Sequence, residues 1–175
     1  DFAFTHIMQA TATAMCEKGL PLTGILYGGL MKTQQGIKVI EFNARFGDTE
    51  TEVVLPLLES DAYDVFSSIA TNSQLQPIAW DNKAVLGVVI ASKGYPGHYD
   101  KGVVIDGIEA FDGRIYHMGT RRENNRLLTN GGRVMMCIAM ADYPQAARDK
   151  VYSEITKIHC ENLFYRTDIA HQLFE

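Results

Sequence analysis

Apolar residues along the chain change their period several times, and each change marks an element. Phe4, Ile7, Met8, Thr11 and Met15 recur at spacings of three and four, which predicts a helix over residues 4–18. Gly19-Leu20-Pro21 supplies its stop signal. Two β-rich runs follow, Thr23–Met31 and Ile37–Phe42, joined by polar Lys32-Thr33-Gln34-Gln35-Gly36, the pattern of an antiparallel hairpin. Residues 51–58 and 61–71 read as helical. In the second, Ala62, Val65, Phe66 and Ile69 form one apolar face, with Asp61 placed to cap it.

The stretch 72–82 is polar, carries Pro77 and has no period, so a boundary is expected there, giving domains 1–79 and 80–175. Strand signals dominate beyond it, at Ala84–Ala91, Val103–Ile105, Gly107–Ala110, Arg114–Gly119 and Val134–Met140. Gly94-Tyr95-Pro96-Gly97 and Asn130-Gly131-Gly132 punctuate them as turns. A helix from Pro144 to about His159 follows, with Ala147, Val151, Ile155 and Ile158 on one face and Pro144 in the first turn. The expected class is α+β, with mainly antiparallel sheet.

Composition narrows the function classes. The 175 residues carry 16 Lys+Arg against 21 Asp+Glu, a formal charge of −5. That sign is wrong for general nucleic-acid binding and for anionic membranes. No apolar run approaches the ~20 residues of a membrane span. Cys16, Cys137 and Cys160 are odd in number and widely spaced. They read as reduced thiols of a cytosolic protein, neither a disulfide framework nor a zinc site. The chain opens at Asp1, with no Met and no signal peptide, and reads as a piece of something longer.

Several chemistries are missing. Gly102 and Gly107 have the glycine spacing of a phosphate-binding loop, but Ile108-Glu109 follow where Lys and Ser/Thr are needed. The five histidines never fall at ligand spacing; among them only His117, in an expected strand, stands out. The informative stretch runs from Lys38 to Glu52. Alternation along a strand puts Glu41 and Asn43 on one face, about 6–7 Å apart, with Val39 and Ile37 beside them and Ile40 and Phe42 opposite. A carboxylate and an amide oxygen together suit Mg²⁺, which takes few protein ligands and leaves other positions to water and phosphate. Arg45 follows, within reach of a phosphate or carboxylate. The plain alternative is a strand ending in polar residues, an Arg45–Asp48 surface ion pair, and acids at Asp48, Glu50 and Glu52 favoured by the next helix's dipole. Spacing leaves both open.

The wording of the stretch adds a resemblance. Glu41-Phe42-Asn43-Ala44-Arg45-Phe46-Gly47-Asp48, followed by Glu50-Thr51, resembles the metal-binding strand of phosphoribosylamine–glycine ligases, also known as glycinamide ribonucleotide synthetases, of the ATP-grasp superfamily. Thr23-Gly24-Ile25-Leu26-Tyr27-Gly28-Gly29-Leu30-Met31 resembles the preceding strand of that family. Leu86-Gly87-Val88-Val89 with Gly94-Tyr95-Pro96-Gly97, His117-Met118-Gly119-Thr120 and Thr129-Asn130-Gly131-Gly132-Arg133-Val134 resemble successive signatures of its C-terminal domain. Five motifs in family order cover nearly the whole chain.

The resemblance implies the C-terminal part of an ATP-grasp domain, an antiparallel sheet with helices, followed by a small, mainly antiparallel α+β C-terminal domain. It implies ATP-dependent joining of glycine to 5-phosphoribosylamine in purine biosynthesis, through glycyl phosphate. Glu41 and Asn43 would hold Mg²⁺ or Mn²⁺ against the nucleotide phosphates. Arg45 would neutralise phosphate or acyl-phosphate charge, Gly47 and Asp48 would line the substrate end, and Asp48 would receive the substrate amine. Arg45 and Asp48 are thus the expected catalytic residues, and Asn43 and Arg45 the expected nucleotide contacts. Two departures stand out: Thr49 replaces the usual Pro, and Gly28 or Gly29 stands where many ATP-grasp enzymes place a second acid. The family's amino-terminal domain, ATP-covering lid and nucleotide-contacting lysine lie upstream of the matched segment. The expected whole is therefore a cytoplasmic monomer in which a missing N-terminal half completes the site, with no nucleic-acid or membrane partner. A non-catalytic small-molecule-binding or assembly module with the same fold is the alternative. Another purine-pathway ATP-grasp ligase or carboxylase fits the C-terminal signatures poorly.

Overall fold

The computed structural model describes residues 2–174, and they form an α+β chain in two compact units. One unit runs to Thr51 and resumes over Leu58–Trp80; the other joins Glu52–Leu57 to everything from Asp81 onward.

In the first unit, a π-helical segment Phe4–Gln9 leads directly into α1 (Ala10–Glu17). Ile7, Met8, Thr11 and Met15 are half-buried, as their spacing predicts, while Phe4 is exposed. Gly19 adopts φ +72°, with Leu20 N–H donating to Met15 O and Gly19 N–H to Cys16 O. That left-handed closing pair satisfies the last carbonyls of the helix. β1 (Tyr27–Thr33) and β2 (Gly36–Asn43) pair antiparallel around Gln34-Gln35, so the first strand begins and ends later than its apolar run suggests. A short α2 (Thr51–Val54), which from Glu52 onward belongs to the second unit, passes into the 3-10 turn Leu55–Leu57, in place of one continuous helix. α3 (Ala62–Ala70) is capped by the Asp61 carboxylate, which accepts from Asp64 N–H at 3.1 Å. Among the described residues, the buried hydrophobic side chains all belong to the second unit; Met31, Val39, Ile40 and Phe42 of the hairpin are exposed.

The second unit is built on a four-stranded antiparallel sheet in the order β5 (Arg114–His117), β8 (Arg133–Ala141), β3 (Ala84–Ser92), β9 (Leu163–Tyr165). Val134 to Ala139 are all buried, as expected for a central strand covered on both faces. On one face Val88 opposes Cys137 and Ile90 opposes Met135; there Ala147, Val151 and Ile155 of α4 (Pro144–Ile155) complete the core. On the other, Gly87 lies beneath Met136, Ile138 and Val53, so a side chain there would collide. A second sheet runs β4 (Val104–Ile105), β7 (Arg126–Thr129), β6 (Thr120–Glu123).

Three expectations about this unit are corrected. Residues 107–110 are not a strand: Gly107 takes φ +84° and starts a 3-10 turn, Ile108–Ala110. The expected strand Arg114–Gly119 stops at His117, and the chain returns as the β6–β7 hairpin through Asn124 and Asn125, at φ 48° and 61°. Two left-handed residues make the tight turn whose twist matches paired strands. The last helix ends at Ile155, because His159 leaves it to exchange backbone hydrogen bonds with Asp106.

Candidate active site

The residues singled out in sequence gather at the end of the β1–β2 hairpin, and its register decides what they face. Glu41 sits opposite Gly29 and Val39 opposite Leu30, so Ile40 is an extra, bulged residue, 64% exposed. A one-residue bulge inverts the alternation beyond it. Glu41 and Asn43 therefore share their face with Lys38, Tyr27, Gly29 and Met31, while Val39, Ile37 and Phe42 lie on the opposite face. The simple strand reading, with Val39 and Ile37 as companions of Glu41, is wrong for this reason. On the far face, helix residue Met8 packs over Gly28 beside Phe42.

Glu41 and Asn43 remain neighbours, and Asn43 Nδ2 donates to Glu41 Oε1 at 3.0 Å. Gly29 makes room for them: a Cβ there would lie 3.2 Å from Glu41 Cγ. Of the two glycines at the expected second-acid position, Gly29 alone faces the site. Among the described residues, no three His, Cys, Asp or Glu side chains are grouped to hold a metal. The face thus offers one carboxylate and one amide oxygen, both hard donors. That fits Mg²⁺ or Mn²⁺ bound largely through water and phosphate, and does not fit an all-protein cage.

Beyond Asn43 the backbone bends. Arg45 is exposed, and its Nη1 donates to Phe46 O at 2.6 Å. Phe46 sets its ring edge against Phe66 of α3, centroids 6.2 Å apart at 81°. Gly47 is buried, and its carbonyl accepts from Thr51 N–H at 3.1 Å and Thr51 Oγ1 at 2.6 Å. Asp48 lies exposed in the turn so closed. Two side chains given no site role from sequence border Gly47: a Cβ there would run into the Glu50 carboxylate and lie 3.2 Å from Tyr27 Cε1. Tyr27 is the cross-strand partner of Asn43. Its phenol is pushed above its ordinary pKa, first by burial, then by a hydrogen bond to the Glu50 carboxylate and the charges of Glu50 and Glu41. Register brings Tyr27 here; in the sequence both stood inside the resembling motifs, Glu50 also as one acid in a run, and neither was given a role.

The second unit brings its own motifs together. Ser92, fully buried, donates from its backbone N–H to Gly132 O and from Oγ to Gly131 O, both at 2.8 Å. Asn130 N–H donates to Gly119 O at 2.7 Å, Gly119 packs on Gly131, and the Tyr95 ring covers Gly132. His117 is exposed, with Nδ1 3.0 Å from Thr120 Oγ1. Close backbone approach explains Gly119 and Gly131, and the Tyr95 ring explains Gly132. Among the described residues, no helix is long and apolar enough to cross a membrane.

Comparison with known proteins shows the family. Residues 85–172 match the family model "Phosphoribosylglycinamide synthetase, C domain", and residues 1–51 match "Phosphoribosylglycinamide synthetase, ATP-grasp (A) domain". A phosphoribosylamine–glycine ligase of Halalkalibacterium halodurans is 49% identical over 170 residues, covering 96% of this chain and 40% of that protein. The crystal structure of phosphoribosylamine–glycine ligase from Thermotoga maritima superposes with a TM-score of 0.73 at 34% identity, covering 83% of this chain and 36% of that one. N5-carboxyaminoimidazole ribonucleotide synthetase from the same organism shares the fold, with a TM-score of 0.54 at 15% identity, over 91% of this chain and 43% of that one. The chain spans about 40% of the length of the bacterial ligases it matches. With one family model covering half its length and a second covering the hairpin that carries Glu41 and Asn43, the chain belongs to the phosphoribosylglycinamide synthetase family.

Proposed function

We propose that the chain is the carboxy-terminal portion of an ATP-dependent ligase that joins glycine to 5-phosphoribosylamine in purine biosynthesis. Residues 1–79 are the end of its ATP-grasp domain and 80–175 its C-terminal domain. The observation that carries this reading is the pairing of Glu41 with Asn43 on one open strand face, followed by Arg45 and the closed Gly47-Asp48 turn.

In the reaction, a glycine carboxylate oxygen attacks the γ-phosphorus of ATP and ADP departs, giving glycyl phosphate. The amine of phosphoribosylamine then attacks the acyl carbon, forming the amide bond; phosphate leaves and the amine surrenders a proton. Crowding several anions together requires positioning and countercharge more than covalent catalysis. Glu41 and Asn43 would hold Mg²⁺ or Mn²⁺, whose charge screens the nucleotide phosphates. Arg45 supplies a fixed cation for phosphate or acyl-phosphate oxygens. Gly47 and Asp48 border the substrate end, and Asp48 receives the amine. The exposed apolar residues of the hairpin support a partner surface within the same protein: its N-terminal half, which would complete the ATP cleft. The full enzyme is read as a cytoplasmic monomer.

The test is glycine-dependent ADP release by the full-length protein. Glu41→Ala should lower it by about 100-fold or more, as loss of a metal-holding or charge-stabilising group does, and His117→Ala by less than about threefold. The 175-residue chain alone should show no turnover. Equal activity of the two variants at saturating Mg²⁺, or robust turnover by the chain alone, would overturn the assignment.

A further inference from the structure

Glu50 has an ordinary explanation, as an acid drawn to the start of the next helix. The structure argues against it. α2 is four residues long, too short for an appreciable dipole, and the Glu50 carboxylate folds back over Gly47 instead of ahead along that helix. Its Cδ would lie 2.9 Å from a Cβ on Gly47, with the Tyr27 ring on the same spot. A side chain at 47 would have to displace the Glu50 carboxylate, because Glu50 and Tyr27 occupy its space. Tyr27 in turn stands across the ladder from Asn43 and shares the face of Glu41.

We propose that Tyr27 and Glu50 are positioning residues, a latch that holds the Gly47-Asp48 turn against the strand face bearing Glu41 and Asn43. The proposal rests on the ligase reading for its effect on turnover, but not for its effect on the loop. The geometry gives each partner a distinct part. The Glu50 carboxylate fills the hollow over Gly47, and the Tyr27 ring packs on the same glycine, where its hydroxyl would tie that carboxylate to β1. Thr51 closes the other side through its two hydrogen bonds to the Gly47 carbonyl. Arg45 and Asp48, on either side of Gly47, would then be set by the latch relative to the two donors of the strand, without Tyr27 or Glu50 touching substrate.

Four variants of the full-length enzyme test this: Tyr27→Phe, Glu50→Ala, the two combined, and Glu50→Gln. Loss of one hydrogen bond that orients a reacting group is expected to cost about tenfold in kcat, so Tyr27→Phe and Glu50→Ala should each fall by about that factor. The double variant should fall no further, since both remove one interaction. Glu50→Gln keeps an acceptor oxygen at the same reach and should recover most of what Ala loses. KM for glycine should rise with the loss while KM for ATP stays near its wild-type value. Hydrogen exchange over residues 44–51, the Thr51 amide included, should quicken in Tyr27→Phe and Glu50→Ala with the melting temperature unchanged. Wild-type exchange in Tyr27→Phe would overturn the latch. So would a Glu50→Gln enzyme as impaired as Glu50→Ala, because the charge itself would then be acting. A wild-type protein without glycine-dependent turnover would sink the ligase reading alone, and the exchange experiment would still decide the latch.

Discussion

Gly102 and Gly107 have nearly the same backbone conformation, φ +81° and +84°, and quite different surroundings. Replacing each with Ala separates the cost of a left-handed residue from the cost of a collision. At Gly102 an added Cβ meets only the end of the flexible Arg121 side chain, at 3.4 Å. The penalty there is conformational, roughly 1–2 kcal/mol, less the few tenths to one that a stiffer unfolded chain returns. At Gly107 the Cβ would fall on the Lys157 carbonyl oxygen and 3.1 Å from its carbon, both backbone atoms that no rotamer change can move aside. The segment must separate from the chain after α4. What it breaks is the reciprocal pair in which Asp106 N–H donates to His159 O at 3.0 Å and His159 N–H to Asp106 O at 2.9 Å.

Two backbone hydrogen bonds at about 0.5–1.5 kcal/mol each, added to the conformational term and some overpacking, bring Gly107→Ala to about 3–5 kcal/mol. The two variants should therefore differ by about 2–4 kcal/mol. The assay is urea unfolding of the 175-residue chain followed by circular dichroism, comparing midpoints at unchanged slope. Variants alike within about 0.5 kcal/mol would refute the close approach, because additivity leaves no room for a hidden collision of that size.

Two further outcomes follow from charge and burial. Cys137 is fully buried and its thiol is pushed up to about 12 by desolvation, whereas Cys16 is exposed. Ellman's reagent at pH 8 should label Cys16 at once and Cys137 only after unfolding; prompt labelling of Cys137 in the native chain would contradict its placement in the core. Arg166 grips Asp168 through two hydrogen bonds, 2.8 and 2.7 Å, and holds its carboxyl down at about 2. A depressed acid contributes stability above its unfolded pKa of about 4 and loses it as pH falls through the folded value, so the window runs from about pH 4 down to 2. The carboxyl carbon of Asp168 should titrate in that low range by NMR and return toward the ordinary range in Arg166→Gln. High salt should weaken the effect, since the pair is exposed; a midpoint unmoved by the substitution would show that the pair is not its cause.

What was legible in the sequence were features decided within one turn or one strand. The α4 stripe is such a case: Ala147, Val151 and Ile155 are predicted by spacing and buried in the structure. The Asp61 cap and the Gly19 stop are read from local chemistry and are both present as hydrogen bonds. The β6–β7 hairpin escaped because Thr120-Arg121-Arg122-Glu123 shows no apolar alternation, being largely exposed. Its one signal was Asn124-Asn125, a pair suited to two left-handed residues in a row. Gly107 escaped for the opposite reason: it lies among apolar residues, and the demand for glycine comes from Lys157, which is distant in sequence.

The candidate site divides along the same line, and the Ile40 bulge shows why. Glu41 and Asn43 share a face whatever happens upstream, because two residues of one strand keep their parity. Which other side chains join them depends on register: pairing with Gly29 brings Tyr27 and Met31, and the one bulged residue exchanges Val39 and Ile37 for Lys38. The exchange replaces two aliphatic neighbours with an ammonium group on the face that already carries the Tyr27 phenol, so an anionic ligand there meets hydrogen-bond donors. It also leaves Val39 on the side where Met8 packs over Gly28, and so directs the apolar face of the hairpin toward its helix. If the bulged residue were deleted, Glu41 would follow Val39 directly, and Glu41 opposite Gly29 and Val39 opposite Leu30 would become neighbouring pairs of an unbroken ladder. Every side chain on the ligand face would then keep its side, the room beside Gly29 and the pairing of Tyr27 with Asn43 included. Such a deletion should therefore leave glycine-dependent turnover of the full-length enzyme largely intact; its loss would show that the extra twist of the bulge, and not the register, positions the ligand pair.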